Sequence, residues 1–305
     1  MKREKLICDD SHVLYYHVWE PKGELKAILH INHGMAEHSA RYDSFATFLN
    51  TKGIKVYAQD HRGHGYTGEK EVLGFFAEVD GWNLVVNDAL ELSKKIAKDN
   101  PKIPLFLMGH SMGSFIVRIL ITQHSDLYKA AIVMGTGSNP GIKGKIGKMI
   151  AKNSIKKNGA HFLNQKLNDM TFGSYNNKFD SKGPAFQWLS SDAKQVEKYE
   201  KDHWCGFVCT SSFYYDMLIG VFMANDINLA KQIPNDYPVL LISGAEDPVG
   251  NFGKGVKTVK AFYEKAGLTN VELKLVENAR HEILNEVDKE DTYEFIASWL
   301  SEKVK

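Results

Sequence analysis

Ser111 stands between two glycines in the segment G-H-S-M-G at residues 109–113, directly after an apolar run at residues 103–108. A G-x-S-x-G segment between a buried strand and a helix is typical of a nucleophile elbow, a strained turn that exposes the serine hydroxyl above a sheet. Glycine is needed on both sides because the turn packs too closely against its neighbours for a Cβ. The spacing therefore predicts a nucleophilic Ser111 between a strand and a helix over residues 114–123.

A serine hydroxyl is a poor nucleophile near neutral pH, so it needs an adjacent base and a carboxylate that holds the base in the right tautomer. In hydrolases with this elbow, the chain order is serine, then aspartate or glutamate, then histidine. Of the twelve histidines only His281 lies beyond residue 203. It follows the last predicted strand and is therefore the predicted base.

The acid of such a triad belongs at the carboxyl end of a strand that lies between the serine and the histidine in the chain. After the strand that ends near residue 134, the first acidic residue is Asp169. After the strand that ends near residue 242, the segment S-G-A-E-D-P at residues 243–248 places two acids in the loop. This favours Asp247 as the acid, with Glu246 as the alternative.

Acyl transfer also needs backbone N–H groups that stabilise the negative oxygen of the tetrahedral intermediate, each contributing about 3 kcal/mol. One donor is expected to be Met112, the residue after the nucleophile, and the other to come from the loop after the third strand. That loop reads N-H-G-M-A-E-H at residues 32–38. Because Gly34 permits close backbone approach, the N–H of Met35 is the predicted second donor.

Histidines are frequent in this region, at His30, His33 and His38 and in the segment D-H-R-G-H-G at residues 60–65. Neither group matches the histidine spacings of zinc hydrolases. Since the serine machinery is complete without a metal, the sequence predicts no metal site and no cofactor. The glycines of the second segment are expected to turn the chain beside the oxyanion loop.

Apolar runs alternate with helical segments along most of the chain, which predicts an α/β fold with a mostly parallel sheet flanked by helices. The predicted strands lie near residues 5–8, 13–19, 27–31, 54–58, 104–108, 130–134, 238–242 and 271–276. The alternation stops over residues 138–232, which are rich in aromatic residues and lysines. We interpret this stretch as a helical cap inserted into a core made of residues 1–137 and 233–305.

The composition is typical of an ordinary globular enzyme, with 305 residues, 43% hydrophobic and 25% charged. A formal net charge of +1 gives no global electrostatic reason to bind nucleic acid. No apolar signal core follows the charged N-terminus, and no segment approaches the roughly 20 apolar residues that span a bilayer, so a cytoplasmic protein is expected. We interpret Cys8, Cys205 and Cys209 as free thiols.

The first part of the predicted cap is basic. Seven lysines and no acid lie between Ile142 and Leu167, interleaved with apolar residues at spacings of three to five. Such a basic amphipathic helix can rest transiently on an anionic membrane surface. The favoured interpretation is a cap helix whose apolar face covers the active site and whose lysines are solvated, and three glycines near its start weaken the helix prediction.

Several of these segments occur together in one known family. Five parts of the sequence carry the similarity. They are the loop H-G-M-A-E-H-S at residues 33–39 with Arg41 and Tyr42, the segment at 60–65, the elbow, and the segments around Asp247 and His281. In these segments the chain resembles the α/β-hydrolase family of monoacylglycerol lipases and lysophospholipases, the serine aminopeptidase S33-like hydrolases. The resemblance spans the whole predicted core and implies an α/β-hydrolase fold with an eight-stranded sheet.

The resemblance implies a serine hydrolase that cleaves carboxylic esters of single-chain lipids through an acyl-enzyme on Ser111. It also implies a polar end of the site that receives a glycerol-like head. The residues assigned to substrate binding are His33, Gly34, Glu37, Arg41 and His110. The alternatives are a short-chain or aryl carboxylesterase, an aminopeptidase with the same triad, and a binding protein that keeps the scaffold without activity.

Overall fold

Residues 1–69 and 72–304 are described by the computed structural model. Within them, eight strands form one sheet in the order β1-β2-β4-β3-β5-β6-β7-β8. The strands are β1 (Lys2–Ile7), β2 (Val13–Trp19), β3 (Ala27–Asn32), β4 (Ile54–Gln59), β5 (Leu105–His110), β6 (Ala131–Met134), β7 (Val239–Gly244) and β8 (Val271–Val276). Strand β2 runs antiparallel to β1 and β4, and the remaining pairs are parallel. The predicted mostly parallel eight-stranded sheet is confirmed.

Helices cover both faces of this sheet, which is why β3, β5, β6 and β7 are largely apolar and are buried along their whole length. The helices of the core are α1 (Asp43–Thr51), α2 (Gly81–Asp99), α3 (Met112–Gln123), α9 (Lys254–Ala266) and α10 (Lys289–Val304). Helices α1 and α10 pack on one face, and α2, α3 and α9 pack on the other. The loops after β3, β5, β7 and β8 therefore meet at the carboxyl edge of the sheet.

Five helices lie between β6 and β7, in the region that we assign to the cap. They are α4 (Gly141–Asn158), α5 (Gln165–Phe172), α6 (Ala193–Lys201), α7 (Ser211–Ala224) and α8 (Ile227–Ala230). None of the helices in residues 1–69 and 72–304 combines the length and the apolar character that crossing a membrane requires.

Helix α4 turns only part of its apolar surface inward. Its small residues Gly144, Gly147 and Ala151 are buried, while Ile142 is 76% and Met149 is 57% exposed. The small face turns inward because it packs against the bulky side chains of α7, among them Leu218 and Phe222. Ile146 lines the cavity that Ser111 also lines, and Ile150 packs against the core. Ile142 and Met149 instead stand beside the lysines on the outer surface, so the expectation that the apolar face of α4 covers the site holds only in part.

Candidate active site

Ser111 occupies the turn between β5 and α3 with φ 52° and ψ −115°. This backbone conformation is unfavourable for a residue with a Cβ and matches the strained turn that the elbow motif predicts. A Cβ on Gly109 would lie 2.1 Å from the carbonyl oxygen of Gly113, and a Cβ on Gly113 would lie 2.0 Å from that of Asn32. Both glycines are therefore required by the close packing of the turn.

His281 and Asp247 form a buried hydrogen-bonded pair at the same edge of the sheet. The Nδ1–H of His281 donates to Oδ1 of Asp247 at 3.0 Å, and the side chains are 2% and 0% exposed. This bond fixes the histidine tautomer, so Nε2 carries the lone pair that a general base needs. Glu246, the alternative acid, is exposed, so the structure brings Asp247 and not Glu246 to His281.

The Asp247 carboxylate is held in its ionised form. Burial would raise its pKa, but the charge and hydrogen bond of His281 lower it, as do the hydrogen bonds from the Val249 N–H and the Ser243 hydroxyl. The Val249 N–H donates to Oδ1 at 2.8 Å, and the Ser243 hydroxyl donates to Oδ2 at 3.0 Å. The resulting pKa lies below the ordinary value, so Asp247 is a carboxylate throughout the neutral range.

Ser111 and His281 line the same cavity. Among the hydrogen bonds of the described residues, none joins the Ser111 hydroxyl to His281. Catalytic hydrogen bonds are often long or poorly aligned until substrate is bound, so this arrangement is compatible with a serine–histidine pair that tightens on binding.

The N–H groups of Met35 and Met112 are free to act as oxyanion donors. Neither donates a hydrogen bond to another residue that the structure describes, whereas the adjacent Gly34 and Ala36 N–H groups donate to Glu37 and His64. Met112 begins α3, so its N–H also lies at the positive end of a helix dipole. A Cβ on Gly34 would lie 3.1 Å from the Ser111 Cβ, which places this loop directly against the elbow.

Two buried histidines shape the loop that carries Met35. The Nδ1–H of His33 donates to the Gly34 carbonyl, and its Nε2 accepts from the His61 N–H. The Nδ1–H of His64 donates to the Arg62 carbonyl, and its Nε2 accepts the Ala36 N–H. Burial lowers the pKa of both rings, to about 3 for His64. The two rings are therefore neutral and hold the loop through backbone contacts, a role of His64 that its sequence position alone did not reveal.

A charged network lies beside Ser111. Glu37 Oε1 accepts from the Gly34 N–H, the Tyr42 hydroxyl and His110 Nδ1, and Arg41 donates to Oε2 at 2.9 Å. Burial would lower the pKa of His110, but the hydrogen bond and charge of Glu37 raise it. The Nε2 of His110 faces the His281 carbonyl at 3.2 Å. Since both ring nitrogens face acceptors, the protonated imidazolium satisfies both.

Glu282 belongs to this network and was not predicted from the sequence. Arg41 donates to both of its carboxylate oxygens, at 2.6 and 2.7 Å. Because the guanidinium and the two carboxylates are all buried, the three side chains form one compact ionic group. The two residues lie 241 positions apart in the chain, so no local pattern could indicate the pair.

The cavity above Ser111 has a volume of about 860 Å³. Of the predicted substrate-binding residues, Gly34, Glu37 and His110 line it, whereas His33 lies outside its wall and Arg41 lines a small adjoining pocket. The wall contributed by the cap region is largely apolar and includes Ile146, Leu167, Phe186, Trp188, Phe207, Tyr214, Met217, Leu218 and Val221.

Comparison with known proteins decides the family. The profile of one family, described as serine aminopeptidase, S33, matches residues 23–288. This chain belongs to that family. The S33 hydrolase is also 29% identical to the monoglyceride lipase of Mus musculus over 308 residues, which cover 98% of this chain and 90% of that protein.

Solved structures give the same result for the S33 hydrolase. A thermostable carboxyl esterase from Bacillus coagulans, in complex with glycerol, superimposes with a TM-score of 0.91 at 25% identity and full coverage of both chains. A soluble variant of monoglyceride lipase from Saccharomyces cerevisiae shares the fold with a TM-score of 0.78 at 19% identity, covering 100% of this chain and 95% of that one. The resemblance inferred from the sequence, the fold and the enzyme class of a serine hydrolase acting on esters are confirmed.

A third buried glutamate, Glu286, ties the His281 loop of the S33 hydrolase to the cap region. Glu286 accepts hydrogen bonds from the Arg280 N–H at 2.7 Å and from the Ser191 N–H at 2.9 Å, and also from the hydroxyls of Ser190 and Ser191. Directly after His281 in the chain, the Glu282 N–H donates to the Leu189 carbonyl at 2.7 Å. These contacts fix the loop on both sides of His281, which makes Glu286 a candidate positioning residue.

In Glu286→Gln, the side-chain NH2 group, itself a donor, faces at least one N–H or O–H donor that the carboxylate had accepted. We therefore expect the His281 loop to shift. A displacement of about 1 Å in a catalytic group can reduce turnover about 100-fold, and we expect that loss in kcat with little change in KM. Glu277→Gln, an exposed change in the same loop, is the matched control. A variant with a lowered melting temperature but an unchanged kcat would limit Glu286 to a structural role.

Proposed function

We propose that this S33 hydrolase is a monoacylglycerol lipase, which cleaves the ester of a single-chain lipid through an acyl-enzyme on Ser111. The observation that carries the proposal is the form of the cavity, which has apolar walls from the cap region and a polar end at Glu37 and His110. Ser111 lines the same cavity. An acyl chain would occupy the apolar part, and the glycerol head would face the polar end.

The volume of the cavity favours a long acyl chain. About 860 Å³ is at the upper end of the range for small-molecule sites, roughly 300–1,000 Å³. A short-chain ester would leave most of this apolar surface uncovered and would gain little hydrophobic binding energy from it.

The charges at the polar end favour glycerol over a phosphorylated head group. Glu37 and Glu282 engage both cations of the network, Arg41 and the protonated His110, so neither cation is free to pair with a phosphate. A phosphate placed there would also lie close to the two carboxylates, whereas the hydroxyls of glycerol can donate hydrogen bonds to carboxylate oxygens. A monoacylglycerol is therefore the preferred substrate over a lysophospholipid.

The proposed reaction uses the predicted residues in sequence. The Ser111 hydroxyl attacks the ester carbonyl while Nε2 of His281 accepts its proton, and the carbonyl oxygen gains a negative charge that the N–H groups of Met35 and Met112 stabilise. The bond to the alcohol breaks, and His281 returns the proton to the departing glycerol oxygen. Water then attacks the acyl-enzyme by the same route and releases the fatty acid. Asp247 keeps its charge and orients His281 throughout.

An aminopeptidase needs a carboxylate that is free to bind the amino group of its substrate. Glu37 and Glu282, the carboxylates beside His110 in the cavity wall, are both engaged by Arg41. Asp169, a carboxylate of the cap region, also lines the cavity and is not paired with a cation in the described part of the chain, so the rate on alanine p-nitroanilide decides between ester and peptide substrates.

The proposal is tested by kcat/KM values for 1-monooleoylglycerol, oleoyl lysophosphatidylcholine, p-nitrophenyl acetate and alanine p-nitroanilide. We expect the largest value for the monoacylglycerol. Leu218→Trp, which fills part of the cavity wall, should lower the value for the oleoyl ester and spare the acetate. Val79→Trp, on an exposed surface position, is the control. Equal or better hydrolysis of the acetate would contradict the lipase assignment in favour of a short-chain esterase.

We also propose that helix α4 contacts a membrane surface, where the substrate lipid resides. Its exposed residues Ile142, Ile146 and Met149 lie among lysines at positions 143, 145, 148 and 152. Apolar side chains beside basic ones suit an anionic lipid interface. A cytoplasmic location with peripheral membrane contact stays a prediction.

Changing Ile142 and Met149 together to serine is expected to weaken binding to vesicles that contain phosphatidylserine. Burying either side chain contributes about 1.5–3 kcal/mol, so the loss should be about tenfold or more. The measurement is co-sedimentation with vesicles at low and physiological salt, and Val79→Ser is the matched control, since Val79 is 77% exposed elsewhere on the surface. An equal loss in both variants, or no binding by the parent protein, would rule out α4 as the contact.

A further inference from the structure

Three side chains with metal-ligating atoms meet where the oxyanion loop touches the cap region. His38 lies at the end of the loop that carries Met35, and Asp202 and Cys205 lie between helices α6 and α7. One ligating atom from each of the three residues lies within 4.8 Å of those from the other two. The Nε2 of His38 and Oδ2 of Asp202 are 2.8 Å apart.

We propose that His38, Asp202 and Cys205 bind a zinc ion that clamps the oxyanion loop to the cap region. An imidazole nitrogen, a carboxylate oxygen and a thiolate are all common zinc ligands, and three protein ligands with one water complete a tetrahedral site. Metal–ligand distances of about 2.0–2.3 Å place the ligand atoms about 3.5 Å apart. The observed spacing reaches that geometry through small side-chain movements.

The electrostatic surroundings favour a cation at this point. The charged side chains that act on Cys205 are Arg41, Asp202, Glu37 and Glu282. Arg41 and the protonated His110 balance Glu37 and Glu282, so Asp202 leaves one negative charge beside the thiol. The thiol is part-buried and unpaired, and Asp202 is about one-third exposed, so an ion can enter from solvent. On binding, the Cys205 thiol releases its proton to water and coordinates as a thiolate.

The cluster stands apart from the proposed reaction but adjoins a loop that the reaction uses. The Gly206 N–H, next to Cys205, donates to the Ala36 carbonyl at 3.0 Å, and the Tyr199 hydroxyl donates to the same oxygen at 2.8 Å. A zinc ion would add a stronger link across this contact. If substrate enters by a movement of the cap region relative to the loop, bound zinc should slow turnover. It supplies no chemistry to the ester.

Metal binding is tested without reference to activity. Cobalt(II), which takes zinc sites and absorbs light, should give a thiolate-to-metal charge-transfer band at one equivalent per chain, and zinc should displace it. Competition with a chromophoric chelator then gives the zinc affinity. We expect Cys205→Ser to remove the band and Asp202→Asn to weaken zinc affinity at least tenfold, with melting curves confirming that both variants fold. His203→Gln is the matched control, because His203 adjoins the cluster but is exposed.

The binding measurements test whether the zinc site exists, and the rate measurements test its proposed effect on turnover. Absence of the cobalt band, or a band that survives Cys205→Ser, would overturn the site. Once binding is established, zinc should lower the turnover of a p-nitrophenyl ester in the parent protein and in His203→Gln, and EDTA should restore it. An unchanged rate with the site filled would overturn the clamp. The binding result does not depend on which ester is the substrate, so a failure here is distinct from a failure of the proposed lipase function.

Discussion

Ser111→Ala is expected to lower kcat for ester hydrolysis about 10⁶-fold, the loss typical of removing the nucleophile of a serine triad. The variant should still bind substrate, because alanine leaves the cavity walls unchanged. Stability should change little, since the Ser111 hydroxyl makes no hydrogen bond with another residue in the described part of the chain. Rates are measured with a monoacylglycerol and a p-nitrophenyl ester, and folding is checked by thermal unfolding.

Ser138→Ala provides the control for this prediction. Ser138 lines the same cavity but does not stand at an elbow, so its hydroxyl should be dispensable. If Ser138→Ala abolished activity and Ser111→Ala did not, the nucleophile would have been assigned to the wrong residue. A parent protein without activity on any ester would instead support the alternative of a binding protein on a hydrolase scaffold.

Asp247→Asn is expected to lower kcat about 10⁴-fold with a smaller effect on KM. The amide can donate a hydrogen bond to Nδ1 of His281, which leaves the proton on Nε2 and removes the base. Since asparagine has nearly the same shape, the fold should persist. Single-turnover kinetics on a p-nitrophenyl ester measure the acylation step directly, and Glu246→Gln, a change of the exposed neighbouring acid, is the matched control.

The lowered pKa of Asp247 also sets the sign of a stability effect. Its carboxyl binds protons less readily in the folded than in the unfolded protein, so ionised Asp247 contributes stability that is complete above the unfolded pKa, about 4. That contribution is lost as pH falls through the lowered folded-state pKa. The unfolding free energy of the parent should therefore decline more steeply in acid than that of Asp247→Asn. An equal decline of the unfolding free energy in the parent and in Asp247→Asn would show that His281 does not stabilise this carboxylate.

Local patterns were sufficient for much of the fold and of the candidate triad. Apolar runs placed the strands, and the order of serine, acid and histidine left Asp247 with one alternative and His281 with none. Both inferences depend on short segments, in which the order of the residues along the chain indicates which of them are buried. The roles of the three residues stay predictions until activity is measured.

The supporting contacts could not be predicted because they join distant parts of the chain. Arg41 and Glu282 are 241 positions apart, and Ser191 and Glu286 are 95 apart. Helix α4 shows a different limit. Its periodicity identified an apolar face, but close packing against α7 buries the small residues Gly144, Gly147 and Ala151. Two larger apolar residues of the helix, Ile142 and Met149, stay exposed as a result.

The central claim is that Ser111 becomes covalently acylated, and mapping a fluorophosphonate adduct tests it most directly. After reaction with the probe, tryptic digestion should release residues 103–118, a peptide that contains two serines, Ser111 and Ser114. Fragmentation by mass spectrometry should place the whole adduct on Ser111, and the labelling should disappear in Ser111→Ala and slow sharply in Asp247→Asn. An adduct on any other residue, or a chain that hydrolyses esters without reacting with the probe, would contradict the proposed mechanism.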